Sequence, residues 1–240
     1  MEEYFDLLLE SPLFAGISRE ELSLLLGCLQ VRLVAAAKGE PVFLEGEPAG
    51  CVGMVLEGGV QIVQDDYFGN RSVLTHALRG DIFAEAFACA NVEFMPVSGF
   101  ALQNSKVALF DCRKMMTVCT GGCRFHNQLV KNLLQVVAQK NLAQNRKIWL
   151  MSRKTTREKL IAYFLEQAKA AGAAEFTMPF DRQTLADYLG VERSAMSAEL
   201  SKLRRDGLVE CKGARVKLLA ANPQEMTGSL AQRLDILGEL

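Results

Sequence analysis

Three groups of residues have the types and spacing to do chemistry. The first lies between Asp181 and Gly207, where Arg193, Ser194, Ser197 and Lys202 recur on one side of a helical repeat. Short hydrogen-bonding side chains and cations in such a row suit base edges and phosphates rather than a covalent reaction. The second is Cys119, Cys123 and His126 at i, i+4 and i+7, with Cys112 just upstream. Thiolates and an imidazole on one helix face suit zinc, haem iron, an iron-sulfur cluster or a thiol redox pair. The competing reading is structural, because buried free Cys behaves as a small hydrophobe and no CxxC pair is present; it leaves the metal assignment at none, with these three residues as candidates. The third is Glu85, in the loop from Gly80 to Phe87. No catalytic set accompanies them: there is no GxSxG, P-loop or HExxH, and His76 and His126 lie far apart, so the chain does not read as an enzyme.

The elements that must position the first group follow from spacing. Leu185, Ala186 and Leu189 form one helical face, Asp181 caps its start and Gly190 stops it. After a turn at Gly190-Val191-Glu192, a second helix carries Ala195, Met196, Leu200 and Leu203 inward and leaves Arg193, Ser194, Ser197 and Lys202 outside. Two short helices joined by a Gly-containing turn, the second with a polar and cationic outer face, form a helix-turn-helix suited to a DNA major groove. Leu208 to Cys211, Lys212-Gly213-Ala214 and Arg215 to Leu219 read as strand, tight turn and strand, a wing whose basic tip suits a phosphate backbone. An αα-hairpin that docks protein in a ligand-binding or scaffold protein is the rival reading.

Upstream, residues 4 to 30 read as short helices, with Ser18-Arg19-Glu20-Glu21 as a capping box. From Val31 to Asp111 seven short β-rich runs (31–35, 42–44, 52–57, 60–64, 72–78, 97–102 and 106–111) alternate with Gly-containing turns, which predicts an antiparallel barrel or jelly roll. A long helix follows from about Gly122, started by Thr117 or Thr120, to Ser152. Its stripe Val130, Leu134, Val137, Asn141, Gln144, Ile148 and Met151 is spaced 4, 3, 4, 3, 4, 3, the 3.5-residue period of a coiled-coil seam, and predicts pairing with a second copy. Arg153 to Glu158 reads as a hinge, Lys159 to Ala171 as a helix behind the helix-turn-helix, Glu175 to Pro179 as a short strand, and Asn222 to Leu240 as a small terminal helix.

Composition sets the outer bounds. The chain has 240 residues, half of them apolar, enough for two domains. Net charge is -1 overall, but it divides into -3 over residues 1–152, +4 over 153–220 and -2 over the last 20, so the positive charge collects around the helix-turn-helix. The acidic start MEEYFDLLLESPLF lacks the basic region of a signal peptide, and no apolar run reaches the ~18 residues of a membrane span. With seven cysteines and no export signal, free thiols in a cytoplasmic protein are expected.

The run ADYLGVERSAMSAELSKLRRDGLV resembles the DNA-binding domain of the cyclic-AMP receptor and fumarate-nitrate regulator (CRP/FNR) superfamily. Lys38-Gly39-Glu40, Glu45-Gly46-Glu47 and Leu56-Glu57-Gly58-Gly59-Val60 are similar to turns of its cyclic-nucleotide-binding-like barrel, and the likeness extends almost from end to end. The resemblance implies an α+β chain: an effector barrel with N-terminal helices at 1–118, a dimerisation helix at 119–152 and a winged helix-turn-helix at 153–240. It implies a cytoplasmic bacterial transcription regulator, a homodimer on a near-palindromic site in double-stranded DNA that meets RNA polymerase at promoters, with no membrane partner.

By side-chain chemistry, Arg193 suits a base or phosphate contact, Ser194 and Ser197 suit base edges, Ala198 suits a thymine methyl, and Arg182, Gln183, Lys202, Lys212 and Arg215 suit phosphates. Many relatives carry a guanine-reading Arg where this chain has Ala198. The effector pocket that the resemblance implies is Glu85, Ala86, Phe87, Met95, Pro96 and Val97, with Gln144 and Asn145 from the long helix. Glu85 matches the ribose-binding Glu of the nucleotide-binding relatives, but their phosphate-binding Arg is absent from Glu93-Phe94-Met95-Pro96-Val97. Cyclic AMP is thereby disfavoured as effector, and the effector is unknown. A pocket closed by Phe87, Phe94 and Met95 is the alternative. The iron-sulfur relatives carry a cysteine cluster near the N-terminus, where this chain has only Cys28.

Overall fold

In the computed structural model, which describes residues 1–117 and 124–219, strand β3 (Cys51–Glu57) is buried along both faces. Its sequence CVGMVLE lacks polar alternation because it separates two cores. Val52, Met54 and Leu56 face outward to helices, and Val55 faces the interior of a two-sheet barrel. One antiparallel sheet runs β1 (Arg32–Ala36), β8 (Ser105–Asp111), β3 and β6 (Ile82–Phe83). The other runs β2 (Pro41–Phe43), β7 (Ser98–Ala101), β4 (Gly59–Asp65) and β5 (Arg71–Leu78). Between them pack Phe43, Val55, Ile62, Phe83, Met95, Val97, Val107 and Leu109. The rings of Phe43 and Phe83 stack with centroids 5.9 Å apart. Gly53 and Gly99 leave the room for them: a Cβ on either would stand 2.2 Å from Phe83 or 2.3 Å from Phe43.

Helices α1 (Phe5–Glu10) and α2 (Arg19–Leu29) and the 3-10 turn Pro12–Phe14 cover the outer face of the first sheet. Leu8, Leu13, Phe14, Leu22, Leu25 and Leu29 join Met54, Leu56 and Phe110 in one cluster. The expected capping box is present, with Ser18 N donating to Glu21 Oε2 at 2.9 Å. Helix α3 (Glu85–Cys89) follows β6, and α4 (Cys112–Met116) follows β8. The long helix α5 (Arg124–Met151) buries Leu129 and Leu133 in the same cluster, and Asn132 Nδ2 donates to the Leu13 and Ala15 carbonyls at 3.0 and 2.8 Å.

The chain divides into two compact units, Met1–Lys140 and Asn141–Leu240. In the second, α6 (Thr156–Ala171), α7 (Arg182–Leu189) and α8 (Arg193–Arg205) pack with a three-stranded antiparallel sheet ordered β10 (Val209–Lys212), β11 (Arg215–Leu218), β9 (Glu175–Thr177). Leu160, Ile161, Phe164, Leu185, Met196, Leu203 and Val216 make its core. Truncating one of these to Ala costs roughly 2–5 kcal/mol, a large share of what holds a unit of this size.

The α+β architecture, the antiparallel sheets and the helix-turn-helix are as expected, and four details are corrected. β6, two residues long, was not among the seven predicted strands. Thr156 to Glu158 is the first turn of α6 rather than hinge, because Thr155 and Glu158 form a capping box. Ala195 is exposed, since it stands about 100° round the helix from the buried Met196, Leu200 and Leu203. Thr117, one of the two residues expected to start the long helix, instead closes α4 as its C-cap, whereas Thr120, Gly122 and the expected terminal helix at 222–240 lie outside the described residues. Among the described residues no helix is long and apolar enough to cross a membrane.

Candidate nucleic-acid interface and effector cassette

The helix-turn-helix is built by its caps. The Asp181 carboxylate accepts from Thr184 N at 2.7 Å, and that N–H, with the Thr184 hydroxyl, holds the Asp181 carboxyl below the usual range. Gly190 closes α7 at φ 60°, which a side chain rarely adopts. Lys159 Nζ, from α6, donates to the Leu189 carbonyl at 3.0 Å and neutralises the same helix end. Arg157, also on α6, spans to the recognition helix: Nη1 meets Glu199 Oε1 at 3.1 Å and Nη2 meets Asp206 Oδ2 at 2.7 Å. Both carboxylates hold its guanidinium in the charged form, Asp206 more than Glu199. Arg157, expected in a hinge, is instead a brace that fixes how α8 is presented.

With Met196, Leu200 and Leu203 buried, α8 presents Arg193, Ser194, Ser197, Ala198 and Lys202 to solvent. Lys202 Nζ is 3.2 Å from Glu199 Oε2, an exposed i,i+3 pair worth only a few tenths of a kcal/mol. Lys212 and Arg215 are exposed on either side of the Gly213-Ala214 turn, where they are directly paired across the hairpin. Gln183 is exposed and bonded to Asp187 Oδ1 at 2.9 Å. Arg182 differs from the others. It is half-buried at the wall of a cavity of about 540 Å³ between α7, α8 and the wing, and its Nη1 has no hydrogen-bond partner among the described residues. Arg204, which the sequence reading passed over, lines the same cavity.

In the first unit, Glu85 opens α3 and is buried, and Met95 and Val97 are buried in the barrel interior. Phe87 is half-buried against that interior, whereas Ala86, Pro96 and Phe94 are exposed. The expected closure by Phe87, Phe94 and Met95 therefore needs amending: Phe83, not Phe94, fills the interior alongside Met95. Glu85 Oε1 is bound by Lys140 Nζ at 2.8 Å, an ion pair absent from the sequence reading. Gln144 and Asn145 are exposed on α5 in the second unit, where Asn145 Nδ2 donates to Asn141 Oδ1 at 3.0 Å. A cyclic nucleotide does not fit what is present: the cassette has no Arg for the phosphate, and its buried carboxylate, Glu85, is already paired.

Along α5, Leu134 and Ile148 are 70 % and 64 % exposed, and Asn141, Gln144 and Met151 are exposed as well. Val130 and Val137 are half-buried, and Val137 packs on the first unit's core. Of the thiol-imidazole set, Cys119 and Cys123 lie outside the described residues. His126 is buried and its Nδ1 lacks a partner among the described residues. Cys112 lies with its Sγ 3.9 Å from Cys89 Sγ, and burial pushes its thiol up to about 12. Among the described residues no group of three or more His, Cys, Asp or Glu side chains is placed to hold a metal ion, and the sole cysteine near the N-terminus, Cys28, is exposed.

A barrel that carries a cassette, followed by a long helix and a winged helix-turn-helix, defines a DNA-binding transcription regulator with an effector domain. Comparisons with known proteins agree. A cyclic nucleotide-binding domain model matches residues 33–120 and a Crp-like helix-turn-helix domain model matches residues 158–223, well over half of the chain between them. The chain is 21 % identical over 187 residues to the transcriptional activator protein FnrA of Stutzerimonas stutzeri, covering 76 % of this chain and 74 % of that one. Its fold is that of the c-di-GMP responsive global regulator CLP of Xanthomonas campestris (TM-score 0.54, 18 % identity, 85 % of this chain and 100 % of that one). The Thermus thermophilus catabolite activator protein is similar too (TM-score 0.50, 22 % identity, 92 % and 100 %). The protein belongs to the CRP/FNR superfamily.

Proposed function

We propose that the chain works as a homodimer on a near-palindromic site in double-stranded DNA, with residues 1–118 as effector domain, 119–152 as dimerisation helix and 153–240 as DNA-binding domain. The observation that carries this reading is the two-sided character of α8, which buries Met196, Leu200 and Leu203 and exposes Arg193, Ser194, Ser197 and Ala198 in a braced orientation. Arg193 bonds a guanine edge, Ser194 and Ser197 read neighbouring bases, and Ala198 meets a thymine methyl. Lys202, Gln183, Lys212 and Arg215 lie on phosphates, and the unpaired Nη1 of Arg182 donates to a phosphate oxygen drawn into the groove beside the wing.

Support for the homodimer comes from α5, where a stripe including Leu134, Ile148 and Met151 is left open to solvent. The effector domain does not answer to cyclic AMP, given the missing Arg and the occupied Glu85. As a promoter-bound regulator the protein acts in the cytoplasm, within reach of RNA polymerase. Selection from a randomised duplex pool tests the reading: it predicts a two-fold symmetric site with half-sites one DNA turn, about 34 Å, apart. A pool that stays random contradicts it.

A further inference from the structure

Glu85 is the one buried carboxylate among the described residues. A charge in that position needs a partner, since an uncompensated buried carboxylate is strongly disfavoured. Its partner is Lys140, 55 positions later, whose Nζ stands 2.8 Å from Glu85 Oε1 and also donates to the Ile82 carbonyl at 2.7 Å. Both acceptors belong to one stretch: Ile82 lies in β6 and Glu85 begins α3 three residues on. A single ammonium on α5 thus fastens the cassette, carbonyl and carboxylate together, to the long helix. The Lys140 side chain remains 43 % exposed, as befits a lysine whose stem lies along the protein while its head reaches an acceptor.

Nothing else in the cassette invites an anionic ligand. No cation lies in Glu93 to Val97, and the barrel interior behind it is filled by the stacked rings of Phe43 and Phe83. A ligand-controlled domain changes state because the ligand binds one state better than the other. An ion pair within the chain supplies the same preference with no dependence on concentration.

We propose that Lys140 is the built-in ligand of the effector domain: by holding Glu85 and the Ile82 carbonyl it keeps the cassette docked on α5, so the protein binds its DNA site with no small molecule. The inference rests on the reading of residues 1–118 as an effector domain that governs DNA binding. Lys140 is a positioning residue here, acting on DNA through α3 and α5 rather than by contact.

The test uses the full chain, shown free of ligand by native mass spectrometry, and a duplex that the wild type selects from a randomised pool. Wild type binds that duplex, and added cyclic AMP or cyclic GMP leaves the affinity unchanged. Lys140→Met and Glu85→Gln each weaken specific binding about tenfold, the double variant no more than either single one, and non-specific duplex is bound as before. Lys140→Arg binds like wild type. Amide hydrogen exchange over Ile82 to Cys89 quickens in Lys140→Met and Glu85→Gln and not in Lys140→Arg. If Lys140→Met does not fold, the double variant, which leaves no buried charge, carries the comparison. Wild-type affinity in that folded variant, or a wild type that binds only after a nucleotide is added, overturns the proposal. A wild type that binds no DNA at all removes the functional reading beneath it, an outcome distinct from variants that all bind equally.

Discussion

Arg157→Met removes the brace between α6 and the recognition helix while keeping most of the apolar stem. Its two arms differ in worth. Asp206 is about half exposed, so that arm is an ordinary surface pair of roughly 0.2–1 kcal/mol. Glu199 is 15 % exposed and the bond to it is charge-assisted, in a class worth roughly 1.5–3 kcal/mol, but Lys202 at 3.2 Å remains to compensate the carboxylate and Arg157 itself is a third exposed. The bottom of that range applies, and the two arms together give about 2 kcal/mol. Trp149 makes the effect measurable where it occurs, because it is the chain's single tryptophan and packs on the core of the second unit. With a urea m-value of about 1–2 kcal/mol/M, the Trp149 fluorescence midpoint falls by about 1–2 M. Far-UV circular dichroism of the first unit's transition stays in place. An unchanged Trp149 midpoint refutes the reasoning, and a shift that vanishes in high salt assigns the effect to the exposed arm alone.

Two further outcomes follow from the same structure. Arg193→Ala loses about 1–3 kcal/mol on the selected duplex and relaxes preference at one base pair, read by competition binding against single-base variants; equal weakening on every sequence makes Arg193 a phosphate contact only. Among the described cysteines, alkylation by iodoacetamide near neutral pH labels the exposed Cys28 ahead of Cys51, Cys89 and Cys112, whose thiols burial holds above their ordinary values and so keeps protonated and slow. Raising the pH increases the thiolate fraction, and peptide mass spectrometry should show those three sites gaining label as it rises; prompt labelling of Cys112 at neutral pH contradicts its burial.

Local chemistry made much of this fold legible. Asp181, Gly190 and the spacing of Leu185, Leu189, Met196, Leu200 and Leu203 sufficed for the helix-turn-helix, because caps and a 3.6-residue period are written in neighbouring positions. Gly-containing turns likewise set off seven of the eight strands of the first unit, and β6 escaped because two residues carry no period. The boundary of α6 was readable in principle, since Thr155 and Glu158 have the capping-box spacing within the stretch taken for a hinge.

What stayed hidden depends on partners far apart in sequence. Arg157 finds Glu199 and Asp206 across 42 and 49 positions, and Lys140 finds Glu85 across 55, so neither pairing has a local signature. Among the aromatic residues near the cassette, Phe83 turns in and Phe94 turns out, a choice made by the space over Gly53 rather than by hydrophobicity. Arg182 looked like any surface cation until the wing closed a groove around it.

The most direct check on the central claim is the salt dependence of binding to the selected duplex. Arg182, Arg193, Lys202, Lys212 and Arg215 from two copies can displace up to ten counterions, which sets a slope of log affinity against log salt approaching about -9. A steep slope, made shallower by roughly one to two units in Lys212→Ala, is the predicted result, since the substitution removes one cation from each copy. Affinity independent of salt contradicts a DNA-binding role for α8 and the wing.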